Sequence, residues 1–194
     1  ACGTPAVIQP TSMPSDTFEE DFSKDTGLWQ TFAETGGTAK IVDGKMAVVV
    51  SSPFTVSLSI AALNLADFDL TLITTPIING TANGYGVIFR YLDLQNFYRF
   101  DIGGDGKWSV SRRLRDQWLH LSELKTSPAI KTGTVSNTLR IVARAEKFEF
   151  YANGILLGAI SDANLPIGRI GIFASTFDDA KTEIKFDNIR VVKP

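Results

Sequence analysis

Apolar and polar residues alternate in short stretches from about residue 16 to the end of the chain. The alternation is clear in residues 68–73, 138–144 and 183–191. Because successive side chains of a β-strand point to opposite faces, this period of two predicts half-buried strands. In the last stretch the alternation slips at Asn188, which predicts either a bulge at that position or a strand buried on both faces near its end.

Tight turns are expected between several of these strands. Both central residues of a type I′ turn take positive φ, and Asn-Gly and Asp-Gly dipeptides accept that conformation. Three dipeptides of this kind stand between predicted strands: Asp43-Gly44, Asp105-Gly106 and Asn153-Gly154. About a dozen strands need two sheets packed face to face. The sequence therefore predicts an all-β fold, a two-sheet antiparallel β-sandwich.

Length and charge narrow the class of protein. A chain of 194 residues fits one large all-β domain. The 19 basic residues are scattered among 21 acidic ones, and the net charge is −2. Without a basic stripe, nucleic acid is not a predicted partner. No run approaches the ~20 apolar residues of a membrane helix, so a membrane is expected only through a lipid anchor.

The N-terminal segment has a different character from the rest. Its single cysteine, Cys2, stands between Ala1 and Gly3. This context resembles the end of a bacterial lipoprotein signal, although there the small residue before the cysteine is normally removed with the signal. A stray cysteine is the alternative. Residues 4–15 contain three prolines and no charge, which is typical of a semi-rigid spacer.

These features predict two parts. Residues 1–15 are interpreted as a lipid-anchor and proline-rich tether, and residues 16–194 as the folded domain. The protein is expected to be exported to the cell surface or periplasm and anchored at Cys2.

Four segments together resemble a known family. They read FEEDFS at 18–23 with Trp29 following, GYGVIFR at 84–90, NFYRFD at 96–101, and GRIGIFA at 168–174 followed by FDNIRV at 186–191. In this order they resemble bacterial laminin-G-like jelly rolls of the concanavalin A-like lectin/glucanase superfamily, over about residues 16–193. The resemblance implies a concanavalin A-like jelly roll. It says little about function, because that fold hosts lectins, glucanases, sugar-binding modules and adhesion domains.

Catalysis is not expected from the carboxylates. Retaining glycan hydrolysis needs two carboxyl groups ~5–5.5 Å apart. The nearest motif, residues 19–21, lacks the second glutamate that glycan-cutting relatives carry. The one histidine, His120, is interpreted as an ordinary strand residue. No catalytic residue is predicted, and a keto-disaccharide hydrolase-like activity stays open through overlap with a related group of jelly rolls.

A polar surface is predicted in the middle of the chain. If Phe89, Tyr98 and Phe100 face the core, the period of two puts their charged neighbours on the outer, concave surface. Sugars are bound by aromatic rings beside fixed polar groups, and Trp118 is a better candidate for exposure than Trp29 or Trp108. The predicted ligand-binding residues are Arg90, Arg99, Asp101, Arg113 and Trp118. The alternative is a set of surface salt bridges, each worth ~0–1 kcal/mol.

Together these patterns predict a non-catalytic extracellular recognition module that binds carbohydrate, on a cell-surface lipoprotein. Its expected partner is a glycan or a cell-surface protein. The alternatives are a glycan-processing hydrolase and a protein–protein adhesion or structural module.

A structural calcium ion is implied by the resemblance. In the resembled glucanases an aspartate at this place in the last strand binds calcium. The matching positions are Asp187 and Gly44, with a third donor near residues 17–19. The alternative is that Asp187 pairs with a lysine or arginine, or caps the bulge beside Asn188.

Overall fold

The computed structural model describes residues 11–12, 15–78, 80, 83–177 and 181–194. These residues form strands and connecting turns, with no helix among them. Accordingly, no helix in this part of the chain is long and apolar enough to cross a membrane. The predicted anchor Cys2 lies outside the described residues.

Seventeen strands are present in the described ranges, more than the dozen or so that the sequence predicts. In chain order they are β1 (Thr11–Ser12), β2 (Thr17–Glu20), β3 (Phe32–Glu34), β4 (Gly37–Val42), β5 (Lys45–Val50), β6 (Val56–Leu65), β7 (Phe68–Ile78), β8 (Asn83–Asp93), β9 (Asn96–Ile102), β10 (Lys107–Leu114), β11 (Gln117–His120), β12 (Lys125–Thr126), β13 (Asn137–Arg144), β14 (Lys147–Ala152), β15 (Ile155–Ser161), β16 (Gly168–Thr176) and β17 (Thr182–Val192).

The strands form two sheets, and the predicted sandwich is confirmed. Sheet A has the order β1-β6-β16-β8-β9-β10-β11, with β12 also paired to β10. Sheet B has the order β15-β14-β13-β7-β17-β5-β4-β3, with β2 also paired to β17. The named pairs are antiparallel except for β1 with β6. Because β6, β8 and β16 are separated in sequence by strands of sheet B, the chain crosses between the sheets several times.

Two of the three expected tight turns have the predicted geometry. Asp43 and Gly44 have φ of 52° and 66°, and Asn153 and Gly154 have φ of 51° and 82°, so each pair closes a two-residue hairpin. Between β9 and β10 the connection is residues 103–106, which is two residues longer than the pattern predicts.

The structure differs from the predicted tether at its C-terminal end. Thr11 and Ser12 form β1, which pairs with Leu63 and Asn64 at the edge of sheet A. The Thr11 hydroxyl also donates a hydrogen bond to the Ala62 carbonyl at 2.9 Å. These two residues therefore belong to the sandwich rather than to a free spacer.

Aromatic side chains fill the space between the sheets. Phe89 of sheet A stacks on Tyr98 with ring centroids 5.1 Å apart and contacts Phe148 of sheet B edge-on at 5.3 Å. Trp29 and Trp108 are both buried, as the sequence analysis favours. Such ring pairs add about 0.5–1.5 kcal/mol each beyond the apolar area that they bury.

The alternation along β8 breaks at Arg90. Arg90 has φ of 48°, and the β8–β9 register shifts after Phe89. A bulge inserts one residue, so the side chains beyond it exchange faces. Arg90 therefore points into the end of the sandwich, and the next residue, Tyr91, lies on the outer face. The expectation that Arg90 lies on the outer surface is wrong for this reason.

The buried guanidinium of Arg90 connects three turns. It donates hydrogen bonds to the carbonyls of Leu165 at 2.9 Å, Ala66 at 2.9 Å and Ala145 at 2.7 Å. Its side chain is 1% exposed, and the guanidinium carbon lies 4.8 Å from the centre of the Phe148 ring. Arg90 is thus a structural residue that closes one end of the sandwich.

Replacing Arg90 should strongly destabilise the fold. Arg90→Ala removes its hydrogen bonds to carbonyl groups, and a buried polar group left unpaired costs about 1–3 kcal/mol. We expect the free energy of unfolding, measured by urea denaturation, to fall by at least about 3 kcal/mol. Arg90→Lys should lose a similar amount, because an ammonium does not reproduce the planar fork.

The matched control for this experiment is Arg144→Ala. Arg144 is exposed at the end of β13, and an exposed substitution of this kind changes stability by about 0.5 kcal/mol or less. Equal losses in the two alanine variants would contradict the structural role of Arg90.

Candidate functional site

The register of sheet A brings most of the predicted site residues together on its outer face. Across β9, β10 and β11, Phe97 is opposite Arg113, and Arg113 is opposite Trp118. Arg99 lies two residues further along β9, on the same face as Phe97. Four of the five predicted residues, all except Arg90, therefore share one surface.

Arg99 is the most constrained residue of this surface. Its Nε and one terminal nitrogen donate to the two carboxylate oxygens of Asp101, at 2.8 and 2.9 Å. The guanidinium carbon lies 5.1 Å from the Trp118 ring centre and 5.0 Å from that of Phe173. The hydroxyl of Ser109 donates to Asp101 at 3.3 Å. This bidentate geometry fixes the planes of both charged groups.

Trp118 is exposed but held in place. The residue as a whole is 46% exposed to solvent. The ring of Phe97 meets it edge-on at 5.5 Å, and the guanidinium carbon of Arg113 lies 5.6 Å from its ring centre. Arg113 is itself ion-paired with Asp116 in the turn that follows β10. The indole is therefore held in one orientation by its neighbours and presents an ordered aromatic surface.

A cleft opens beside the Arg99–Asp101 pair. It has a volume of about 300 Å³ and a mainly apolar lining. Gly84 is one of its lining residues, and a Cβ atom at this position would contact the side chains of Phe177 and Asp101. Apart from Arg99 and Asp101, its polar and aromatic lining residues include Asp105, Lys107, His120 and Phe177.

The cleft contains residues that the sequence reasoning did not place in the site. His120 is exposed, and it is opposite Ser111, which is opposite Arg99. Its position two residues after Trp118 puts both side chains on one strand face, and that spacing could have revealed it. Phe177 could not be found this way, because it follows β16 and reaches the cleft only through the order of the strands.

The acidic run at residues 19–21 lies elsewhere. Glu19 and Glu20 belong to β2, which pairs with β17 in sheet B. The Glu20 carboxylate accepts hydrogen bonds from the Phe22 amide at 2.9 Å and the Thr26 hydroxyl at 3.3 Å. These contacts organise the loop after β2, and the run is not part of the outer face of sheet A.

The predicted calcium position holds an ion pair. The Asp187 carboxylate accepts from the Lys45 ammonium and from the Asn188 backbone amide. A calcium ion needs several oxygen ligands, and an ammonium group directed at the same carboxylate opposes a second cation. Among the described residues no group of three or more His, Cys, Asp or Glu side chains could hold a metal.

This arrangement matches the alternative given for Asp187 and fits calcium poorly. The predicted bulge is present, because Asn188 has φ of 50° and the β17–β7 register shifts between Asp187 and Arg190. Calcium at Asp187 and Gly44 stays an untested prediction.

No protein-family model matches the sequence, and no curated protein matches it. The likeness to known proteins is one of structure.

Solved structures with a similar architecture include glycan-binding and glycan-cleaving domains. The carbohydrate-binding module CBM66 from Bacillus subtilis superposes with a TM-score of 0.68 at 16% identity, covering 84% of this chain and 94% of that one. A β-glucanase from Bacillus licheniformis gives 0.71 at 14% identity, covering 94% and 100%. A Bacillus subtilis protein of unknown function with a galectin-like fold gives 0.69 at 10% identity, covering 91% and 94%.

The chain therefore has the concanavalin A-like or galectin-like β-sandwich fold of these domains. At such identities the likeness concerns the fold, and the chemistry of the site has to be argued from the residues described above.

The contact between Asp187 and Lys45 generates a stability prediction. We expect Asp187→Ala to lower the melting temperature, because Lys45 loses its partner and the Asn188 amide loses its acceptor. Calcium added to chelator-treated protein should leave the melting temperature unchanged. A rise with calcium that disappears in Asp187→Ala would instead support the metal, because a ligand bound only by the folded state stabilises it.

Proposed function

We propose that this domain is a non-catalytic recognition module that binds carbohydrate on the outer face of sheet A. One observation carries the proposal. The half-exposed indole of Trp118 is held beside the guanidinium of Arg99. The bidentate Arg99–Asp101 pair in turn lines a cleft of about 300 Å³.

The chemistry of sugars suits this arrangement. A pyranose has an apolar face of CH groups, which packs on aromatic rings, and an edge of hydroxyl groups, which needs donors and acceptors. Trp118 supplies the ring, while Arg99 and Asp101 supply donors and acceptors in fixed orientation. Because these groups are already ordered, binding loses little side-chain entropy.

The structural comparisons support a glycan as the partner. They include a carbohydrate-binding module and a β-glucanase, and both cover nearly the whole folded chain. This is support from the fold alone, so the proposal depends on the outer-face residues.

A glycan-processing hydrolase is the second candidate function. Asp101, Asp105 and His120 line the same cleft, and carboxylates and imidazoles are the usual acids and bases of hydrolysis. Both carboxylates already have a cationic partner, Arg99 for Asp101 and Lys107 for Asp105. Binding is therefore favoured over catalysis. A protein partner on the cell surface is a third possibility that the same face could serve.

The location of the protein is part of the proposal. The Ala1-Cys2-Gly3 context and the proline-rich residues 4–15 support an exported lipoprotein anchored at Cys2. These residues lie mostly outside the described part of the chain, so the support comes from the sequence.

Glycan binding should depend on the Trp118 cluster. On a glycan array the purified domain should bind a defined set of glycans. For the best of them, Trp118→Ala and Arg99→Ala should each weaken binding at least about tenfold, or 1.4 kcal/mol, in isothermal titration calorimetry. Trp118→Ala is the cleaner variant, because its side chain is partly in solvent and its loss should change the melting temperature little.

Arg144→Ala on sheet B serves as the control and should bind as the parent does. Two results would contradict the proposal. One is the absence of any glycan ligand, and the other is a ligand whose affinity is unchanged in Trp118→Ala. Turnover of a bound glycan that is lost in Asp101→Asn would favour the hydrolase instead.

The anchor makes a separate prediction. Expressed with a lipoprotein signal in bacteria, the protein should partition into the detergent phase of Triton X-114, because an attached acyl chain adds about 0.8 kcal/mol per buried CH₂. Cys2→Ala should return it to the aqueous phase. A parent protein found only in the aqueous phase would contradict the lipoprotein hypothesis.

A further inference from the structure

We infer that the glycan bound by the outer face of sheet A is anionic and carries carboxylate or sulfate groups. This inference rests on the proposed function and narrows its ligand class. It depends on the charge of the outer face, on one arginine that the ion pairs leave available, and on the row of aromatic rings that this arginine joins.

The outer-face strands are more basic than the rest of the molecule. The whole chain has a net charge of −2. On the outer face the strands carry two carboxylates, Asp101 of β9 and Asp93 at the exposed end of β8, two residues after Tyr91. Against these two stand four cationic side chains, those of Arg99, Lys107, Arg113 and Arg169. The turn residues Asp105 and Asp116 offset Lys107 and Arg113.

Arg169 is the cation of this group that has no ion-pair partner among the described residues. It lies on β16, where its backbone pairs with Tyr91 of β8 and Asn64 of β6. Its guanidinium carbon is 5.1 Å from the centre of the Tyr91 ring. Within the described ranges, no carboxylate lies within ion-pair distance of it. A half-buried guanidinium stacked on a ring keeps its outer N–H groups available to a ligand.

Arg169 stands at one end of a continuous row of aromatic rings. Tyr91 lies 5.9 Å from Phe97, and Phe97 lies 5.5 Å from Trp118, where the guanidiniums of Arg99 and Arg113 form the other end. The row joins β16 to β11, whose backbones lie four strand spacings apart, or roughly 19 Å at ~4.8 Å per spacing, and the side-chain groups themselves are closer together than that. A glycan lying across the strands would meet guanidinium groups at both ends.

Guanidinium groups select for charge on the sugar. The planar fork of arginine matches the two oxygens of a carboxylate or sulfate, and such charge-assisted bonds are roughly twice as strong as neutral ones. Stacking on a ring holds the fork in one plane before the ligand arrives. A neutral sugar would pack on the exposed indole of Trp118 but would leave the charge of Arg169 without a counter-charge.

The test compares charged and neutral glycans that share a sugar backbone. Polygalacturonate and its fully methyl-esterified form share one backbone, and dextran sulfate and dextran share another. In isothermal titration calorimetry at 50 mM NaCl we expect at least one anionic member to bind tenfold or more tightly than its neutral counterpart. Raising NaCl to 300 mM should reduce that difference, because exposed charges are screened.

Arg169→Gln should reduce the affinity for the anionic glycan about tenfold and leave the affinity for its neutral counterpart unchanged. Arg169→Lys, which keeps the charge without the fork, should give an intermediate affinity and guards against a folding defect. Arg144→Gln on sheet B is the matched loss of one positive charge and should bind as the parent does. Melting temperatures show that each variant is folded.

The outcomes separate the two proposals. Preference for polygalacturonate identifies a carboxylate, and preference for dextran sulfate alone identifies a sulfate, both within the inference. Equal or tighter binding of neutral glycans overturns the inference and leaves the proposed function standing. Absence of binding to any glycan overturns both. Single-stranded oligonucleotides that bind as tightly as the anionic glycan would also overturn it, because recognition would then be of polyanions in general.

Discussion

The two sheets are joined at one end by a single buried cation, Arg90. Removing a charge from water costs several kcal/mol, and burial lowers the pKa of this guanidinium. The cost is offset because the planar group donates to carbonyls in the β6–β7 turn, the β13–β14 turn and the loop before β16. The β6–β7 turn and the loop between β15 and β16 both cross from one sheet to the other, so Arg90 ties two crossovers and a hairpin of sheet B to one point. The bonds of Tyr98 and Arg112 to Asp162 support the same loop. The positions of the outer-face residues of β8 and β9 depend on these connections.

The same position shows where prediction from sequence reaches its limit. The alternation of apolar and polar residues predicted the strands and the two-sheet fold, because the buried and exposed faces of a strand are visible in its own sequence. It misplaced Arg90, because a bulge is a property of two paired strands and leaves little trace in one of them. At Asn188 the slip in the pattern did reveal a bulge, since apolar residues continue on both sides of it. Both neighbours of Arg90, Phe89 and Tyr91, are aromatic. The sequence is therefore equally compatible with Arg90 on the inner or on the outer face.

The candidate site likewise contains residues that the sequence could predict and residues that it could not. Arg99, Asp101 and Trp118 could be predicted because they lie on consecutive hairpin strands, whose order follows the chain. Phe173 and Arg169 could not, because β16 reaches the side of β8 only through crossovers between the sheets. Long-range strand order requires the three-dimensional structure. The residues that hold Arg99 between two rings are therefore drawn from segments more than fifty residues apart.

The short pairing of β1 with β6 has a consequence for how the domain is presented. β1 and β11 are the opposite edges of sheet A, separated by six strand spacings, or roughly 29 Å. Thr11 and Ser12 therefore lie at the edge of sheet A farthest from Trp118. If the domain is held from the β1 edge, the indole lies at the opposite edge, and a long glycan can bind it without crossing the point of attachment.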